Sequence, residues 1–462
     1  MIASSAFANK RYAVLGLARS GLATVASLVA SGAEVMAWDS REEARAQILP
    51  GTGRGTARSA VEGVAQSSSQ PLHYPADGPP PRSGEDRIRI ADPLVTALYG
   101  YDGIVVSPGV PLNRHPIAGR GREAGVPVIG DIELFAQARP TLPPHKVVGI
   151  TGTNGKSTTT ALVHHILETA GIPTTMGGNI GAPILGQDPL PEGGVYVLEL
   201  SSYQIDLTQS LDCDVSVLLN ITPDHLDRYD GIDDYAASKA RLFAMQAPDH
   251  VAVIAAEDDY TRAIAGQVTG RRVLVASTDI KDQSRWPSLQ GPHNAQNAAA
   301  AVAAARALGV ADEDIARGLA TYPGLPHRME RVGEKGGVLF VNDSKATNPD
   351  STAPALGAYP TIHWILGGLP KGDDLDACAP FLGHVKAAYT IGEAGPMFAA
   401  LLADKVPTVE HSVTLEMAVK NAALAAKPGE VVLLSPACAS FDQFKDYEAR
   451  GDAFRAAVEA LA

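Results

Sequence analysis

An apolar run, Lys146 to Ile150, leads directly into Thr151-Gly152-Thr153-Asn154-Gly155-Lys156-Ser157, and a helix-forming stretch, Thr158 to Ala170, follows. A strand that enters a helix through a glycine-rich turn opens a βαβ unit, because parallel strands need a crossover between them. The turn also carries chemistry. Its glycines let backbone N–H groups wrap a phosphate, and the helix N-terminus adds positive potential. Lys156 can reach outer phosphates, and the Ser157 hydroxyl can ligate Mg²⁺. The spacing departs from the usual phosphate loop, since Ile150 stands where the first glycine belongs. An ordinary glycine-rich turn is the competing reading, and Gly155-Lys156-Ser157 at this place disfavours it.

The same alternation recurs on both sides. Before the loop, Tyr12 to Leu15, Leu22 to Ala30 and Glu34 to Trp38 read as strand, helix and strand, and Gly103 to Val106 resumes the block. Between them, Gly51 to Pro93 is rich in Gly, Ser, Pro and Arg, which predicts a long surface excursion with a helix and a strand partly embedded in it. After the loop, strands are expected at Gly194 to Leu200, Val215 to Asn220 and Val251 to Ala255, and a helix at the alanine-rich Asn294 to Leu308. A third block has strands at Val338 to Asn342, His363 to Gly367, Ala387 to Ile391 and Val431 to Ser435. Thr141 to Pro144 and Tyr322 to Pro326 read as linkers. The expectation is three α/β domains in series, spanning 1–141, 142–325 and 326–462. A chain of 462 residues accommodates them at about 150 residues per domain.

Composition excludes several alternatives. A net charge of -13 argues against a sequence-blind nucleic-acid binder. Three scattered cysteines suit neither a disulfide framework nor a zinc site, and point to a reducing, cytosolic compartment. The N-terminal residues do not read as a signal peptide, and no stretch is apolar for long enough to span a membrane.

Further residues fall at expected strand ends, where open parallel sheets bind ligands. Glu199 ends one strand and could hold a hard cation. Asn220-Ile221-Thr222-Pro223-Asp224-His225-Leu226-Asp227 follows the next. Tyr235 and Lys239 share a helix face, where a lysine is ordinarily a solvated charge or a counter-ion to phosphate. Asn294 and Asn297 suit a base or ribose, although Asn294 could be an N-cap. Arg328, after the second linker, could clamp a triphosphate or lie on the surface. In the first block, Gly16-Leu17-Ala18-Arg19-Ser20-Gly21 approximates a dinucleotide-binding turn with Ala18 in place of the middle glycine, and Asp39 could meet a ribose or base.

Taken together these runs resemble the Mur ligases, ATP-dependent amino-acid ligases of peptidoglycan synthesis, over essentially the whole chain. The phosphate loop and the Asn220 to Asp227 run are similar to motifs shared with folylpolyglutamate synthases. Asn342-Asp343-Ser344-Lys345-Ala346-Thr347-Asn348 and Ser435-Pro436-Ala437-Cys438-Ala439-Ser440-Phe441-Asp442-Gln443-Phe444 resemble the D-glutamate-adding branch. The resemblance implies an N-terminal Rossmann-like UDP-binding domain, a central P-loop ATPase-like domain with a mostly parallel sheet, and a C-terminal Rossmann-like amino-acid-binding domain.

By resemblance, ATP meets Gly152, Thr153, Asn154, Gly155, Lys156, Ser157, Thr158, Asn294, Asn297, Arg328, Asp343 and Lys345. Mg²⁺ falls to Ser157 and Glu199, with His225 and a CO₂-derived carbamate on Lys239 at a second site. Lys156, Glu199, His225 and Lys239 form the implied catalytic set. Ser20, Asp39, Ser107, Pro108, Gly109 and Asn179 correspond to contacts with the uridylated substrate, UDP-N-acetylmuramoyl-L-alanine. Thr347, Lys371, Ser440 and Phe441 correspond to positions around D-glutamate. A cytoplasmic monomer without nucleic acid or membrane insertion is expected. An NAD-dependent dehydrogenase built on the first turn would leave Gly155-Lys156-Ser157 unexplained. A P-loop switch protein would hydrolyse ATP independently of any amino acid.

Overall fold

The computed structural model describes residues 1–48, 87–224 and 227–461. Most of the expected Gly51 to Pro93 excursion, and His225, lie outside the described residues. Seventeen strands among the described residues form three sheets.

The first sheet holds β1 (Arg11–Leu15), β2 (Glu34–Trp38), β3 (Ile88–Ile90), β4 (Gly103–Val106) and β5 (Val128–Ile129), in the order β3-β2-β1-β4-β5, all parallel. The second holds β6 (His145–Thr151), β7 (Thr174–Gly178), β8 (Gly194–Glu199), β9 (Val215–Leu218), β10 (Val251–Ala255) and β11 (Arg271–Val275), in the order β11-β10-β9-β6-β8-β7. The third holds β12 (Glu330–Lys335), β13 (Val338–Asn342), β14 (Ile362–Gly367), β15 (Val385–Ile391), β16 (Val409–Val413) and β17 (Val431–Leu434), in the order β12-β13-β17-β14-β15-β16. Only its edge strand β12 runs antiparallel to its neighbour β13 among the pairings of this sheet.

These orders follow from burial. Central strands such as β4, β9, β10 and β17 are buried at every residue, which suits parallel sheets covered on both faces. In the first two sheets the order reverses beside β1 and β6. The strand before each glycine-rich turn therefore sits where a crevice opens at the C-terminal ends.

The chain packs as two compact units. One comprises Met1–Lys156 with Gly171–Leu274, the other Ser157–Ala170 with Val275–Ala462. In the first, Leu28, Val105, Phe135, Val147, Leu198 and Leu242 belong to one continuous core. In the second, β14 alternates its side chains. Trp364 and Leu366 enter one core layer and Ile365 the other, with period 2. The three cysteines are free and buried.

One buried acid makes a stability prediction. Asp131 starts the helix Asp131–Ala138 and is 4% exposed. Burial pushes its carboxyl up to about 6, with N–H groups at the helix start opposing. The folded state thus binds the proton more tightly than the unfolded chain. Stability falls as pH rises from about 4 through about 6. Asp131→Asn should raise Tm at pH 7 and lose that advantage at pH 4, as read by thermal melts.

Candidate active site

β6 delivers the phosphate loop. Gly152 has φ 149°, and a Cβ there would lie 3.0 Å from Leu219 Cβ and 3.2 Å from the Asn220 nitrogen, so a side chain would open the turn. The loop is stitched to the segment after β9. Asn220 O accepts the Thr153 N–H at 2.8 Å, and Asn220 Oδ1 accepts the Asn154 N–H at 2.8 Å. Thr153 Oγ1 takes the Thr222 N–H at 3.0 Å. Asn220 therefore shapes the loop, a role that its place in a run of polar residues does not disclose. Lys156 opens the helix Lys156–Thr169, and its Nζ donates to Gly152 O at 2.9 Å and Thr153 O at 2.7 Å. Ser157 is buried and Thr158 half-buried in the same first turn.

Lys239 lies on the helix Ile232–Ala244 and is 1% exposed. Its Nζ donates to the same Gly152 carbonyl at 2.9 Å and stands 4.5 Å from the Tyr235 ring centroid. Two lysine amines thus converge on one oxygen. Burial, and then the Lys156 charge, push the Lys239 ammonium well below its ordinary pKa, while Asp224 and Asp206 oppose the shift. This lysine is not the solvated charge of the ordinary reading.

β8 ends in Glu199, which is 2% exposed. Its Oε1 accepts from Asn179 Nδ2 at 2.7 Å, while Oε2 is buried with no hydrogen-bond partner. A carboxylate oxygen without a donor is costly to bury, and a hard cation with oxygen preference relieves that cost. The residues therefore fit Mg²⁺. Asn179 is held by its own N–H on Glu199 O at 2.9 Å. Gly178 permits this approach, since a Cβ there would lie 2.2 Å from that oxygen. Among the described residues no group of three or more His, Cys, Asp or Glu side chains is placed to hold a metal.

In the first sheet, the Gly16 turn and the loop after β4 meet. Ser107 Oγ donates to Gly16 O at 3.2 Å. Gly16, Ser20, Ser107, Pro108 and Asp131 line a narrow crevice. Arg228 holds the second loop through Pro108 O and Gly109 O, both at 3.3 Å, and lies 4.3 Å over the Tyr203 ring. Asp39 is engaged locally. It accepts the Leu17 N–H at 2.8 Å and Arg41 Nε at 3.2 Å. Burial would raise its carboxyl, but hydrogen bonds from Arg41 and Leu17 outweigh that and lower it to about 2.

In the second unit, Asn294 and Asn297 are buried on the helix Pro292–Ala307, with Asn297 Nδ2 donating to Asn294 Oδ1 at 3.2 Å. Gly291 occupies the N-cap, so the capping alternative for Asn294 does not hold. Asn297 Oδ1, Arg328 Nε and the Tyr322 hydroxyl are buried without hydrogen-bond partners. Asp343 accepts from Ser435 Oγ at 2.8 Å and from the Met329 N–H at 3.1 Å. Burial raises its carboxyl to about 7 against the opposing Ser435 bond and Arg328 charge. The Lys345 N–H donates to His327 O at 3.0 Å.

Lys371 Nζ donates to Thr347 Oγ1 at 3.1 Å. A bridge between Leu369 and Ala439, with N–H···O bonds of 2.9 and 3.0 Å, brings the Lys371 loop beside the one carrying Ser440 and Phe441. Ser440 is buried, whereas Phe441 is 69% exposed.

Among the described residues no helix is long and apolar enough to cross a membrane. Residues 150–290 match the Mur ligase middle domain, and residues 327–438 match the Mur ligase, glutamate ligase domain. The UDP-N-acetylmuramoylalanine--D-glutamate ligase of Novosphingobium aromaticivorans is 63% identical, across 100% of this chain and 97% of the relative. Relatives of the same name from Sphingopyxis alaskensis and Zymomonas mobilis are 61% and 55% identical, each across 100% of both chains. In fold, the chain resembles the MurF ligase of Thermotoga maritima solved with ADP, at TM-score 0.59 and 17% identity, covering 100% of this chain and 98% of that one. With the phosphate loop, the convergent lysine pair and these full-length matches in place, the chain belongs to the Mur ligase family, with its three-domain α/β fold.

Proposed function

We propose that this chain is an ATP-dependent ligase that joins D-glutamate to UDP-N-acetylmuramoyl-L-alanine in peptidoglycan precursor synthesis. The observation that carries the substrate choice is full-length identity of 55–63% to relatives bearing that activity in their names. The domains take bounds of 1–141, 142–325 and 326–462, serving the UDP substrate, ATP and the amino acid in turn. A monomer acting in the cytoplasm completes the reading.

The chemistry has two steps. A substrate carboxylate oxygen attacks the γ-phosphorus and ADP leaves, giving an acyl phosphate. The D-glutamate amine then attacks the acyl carbon, phosphate leaves with the carboxylate oxygen, and the amine loses a proton as the amide forms. The first step brings two anions together, so cations and positioning carry much of the catalysis. Lys156, moving off the Gly152 and Thr153 carbonyls, supplies one charge to the phosphates, and Arg328 another. Asn294, Asn297, Asp343 and Lys345 serve the nucleotide, with Gly152 to Thr158.

Ser157 and Glu199 would hold one Mg²⁺, and His225 with Lys239 a second; bound there, the ion polarises phosphoryl oxygens and neutralises charge. Lys239 takes part as a carbamate. Its buried amine, biased toward the neutral form, attacks CO₂ and releases a proton, becoming an oxygen donor. Ser20, Asp39, Ser107, Pro108, Gly109 and Asn179 face the uridylated substrate. Thr347, Lys371, Ser440 and Phe441 receive the amino acid, where a charged hydrogen bond to each carboxylate is worth about 1.5–3 kcal/mol.

The test is a panel of single amino acids with UDP-N-acetylmuramoyl-L-alanine, ATP and Mg²⁺. D-glutamate should stimulate phosphate release. Stimulation by L-alanine, L-lysine or diaminopimelate and not by D-glutamate would refute the substrate assignment.

A further inference from the structure

Arg450 stands on the C-terminal helix Tyr447–Glu459, yet it is 1% exposed. Charged groups buried this deeply are ordinarily paired with an opposite charge. Each hydrogen bond found for this guanidinium goes instead to a neutral oxygen. Nε donates to Ser344 Oγ at 3.0 Å, and Nη2 to Ser344 O at 2.9 Å and Cys438 O at 3.0 Å. Nη1 donates to Ala439 O at 3.2 Å and Gly367 O at 3.4 Å. Burial lowers its pKa to about 10, which leaves it a cation at neutral pH.

The acceptors lie on three loops at the C-terminal edge of the third sheet. The loop after β13 carries Ser344 with Thr347, and Gly367, the last residue of β14, opens the one with Lys371. The loop after β17 carries Cys438 and Ala439 with Ser440. The packing around the hub is close. Gly368 has φ 131°, and a Cβ there would lie 2.3 Å from Ala439 O and 3.0 Å from Arg450 Nη1. Ser344 Oγ passes its own hydrogen to Tyr447 O at 2.8 Å, which ties the first loop back to the helix. Asp442, an acid whose charge Arg450 feels, instead accepts the Glu393 N–H at 3.0 Å through Oδ2, and its buried Oδ1 has no partner.

We infer that Arg450 is a positioning residue for the amino-acid site. One rigid, planar cation fixes the spacing of the loops bearing Thr347, Lys371 and Ser440, and its charge, which hydrogen-bonds no acid, favours an anionic amino acid there. The inference rests on the proposed assignment of those three residues to the amino acid. A lysine keeps the charge, but its compact ammonium cannot reproduce the fork that spans three loops. A methionine fills similar space without charge or donors.

The experiment compares Arg450→Lys and Arg450→Met with the unaltered full chain, in initial rates with D-glutamate, ATP and UDP-N-acetylmuramoyl-L-alanine varied in turn. Turnover of the unaltered chain with D-glutamate, measured first, tests the underlying assignment separately. KM for D-glutamate should rise about tenfold or more in Arg450→Lys, and further in Arg450→Met, while the other two KM values stay within about twofold. Should Arg450→Met fail to fold, Arg450→Lys, checked by its thermal melt, decides alone. An unchanged KM for D-glutamate in folded Arg450→Lys, or an equal rise for all three substrates, would overturn the inference.

Discussion

Lys156→Ala is expected to lower ligation about 10³-fold or more, the scale on which cations at a transferring phosphoryl group act. The loop should survive the change. Gly152 O loses one donor but keeps Lys239 Nζ at 2.9 Å. Asn220 still holds the loop's backbone through the Thr153 and Asn154 N–H groups, and the Thr222 N–H still holds the Thr153 hydroxyl. Turnover measured beside a circular dichroism spectrum separates loss of chemistry from loss of fold. Near-normal turnover with an unchanged spectrum would remove Lys156 from the phosphates. Removing it also takes away a charge that holds the Lys239 ammonium down, so the two residues should not behave additively.

Lys239→Ala is expected to be nearly inactive, again by about 10³-fold, because it deletes a buried charge-bearing group beside the loop. The physical case for a carbamate is one of sign. A buried ammonium next to Lys156 would repel a nearby Mg²⁺, whereas a carbamate presents two oxygens, the ligand type that ion prefers. The depressed pKa of the amine makes the neutral, CO₂-reactive form accessible at ordinary pH. A short carboxylate in solution should partly restore the alanine variant. Labelled bicarbonate gives the direct reading, a carbamate signal present in the unaltered chain and absent from Lys239→Ala. No such signal in either would leave Lys239 as a direct phosphate ligand.

The strands legible from the sequence are those at the sheet centres. Glu34 to Trp38, Gly103 to Val106, Val251 to Ala255 and Val338 to Asn342 match β2, β4, β10 and β13 at both ends. Their apolar runs are continuous because they are covered on two faces. The strands not placed are the six edges. β5, β7, β11, β12 and β16 pass unread, and β3 is expected only as an unplaced strand within the Gly51 to Pro93 excursion. β11 is exposed at four of its five residues, and β12 has no buried residue. Such strands pair on one side only and are chosen by their neighbours, a tertiary effect that local pattern does not carry.

The site divides along a similar line. Short, glycine-punctuated motifs at strand ends announce themselves. Residues that shape those motifs from a distance do not. Asn220 reads as one polar residue among several, and nothing in the sequence singles out Arg450. Only the folded chain shows that one pins the phosphate loop and the other gathers three loops. Asp39 shows both kinds of information. Its position after β2 suggests a ligand contact, and the structure adds that its carboxylate also accepts from Leu17 and Arg41.

The central claim is that ATP activates the substrate carboxylate as an acyl phosphate and the D-glutamate amine then displaces phosphate from the acyl carbon. UDP-N-acetylmuramoyl-L-alanine carrying ¹⁸O at both oxygens of that carboxylate tests both halves at once, by mass spectrometry of the phosphate released with ATP, Mg²⁺ and D-glutamate. The prediction is one labelled oxygen in phosphate for each amide formed, with release dependent on D-glutamate. Unlabelled phosphate, or release at the same rate without D-glutamate, would contradict it.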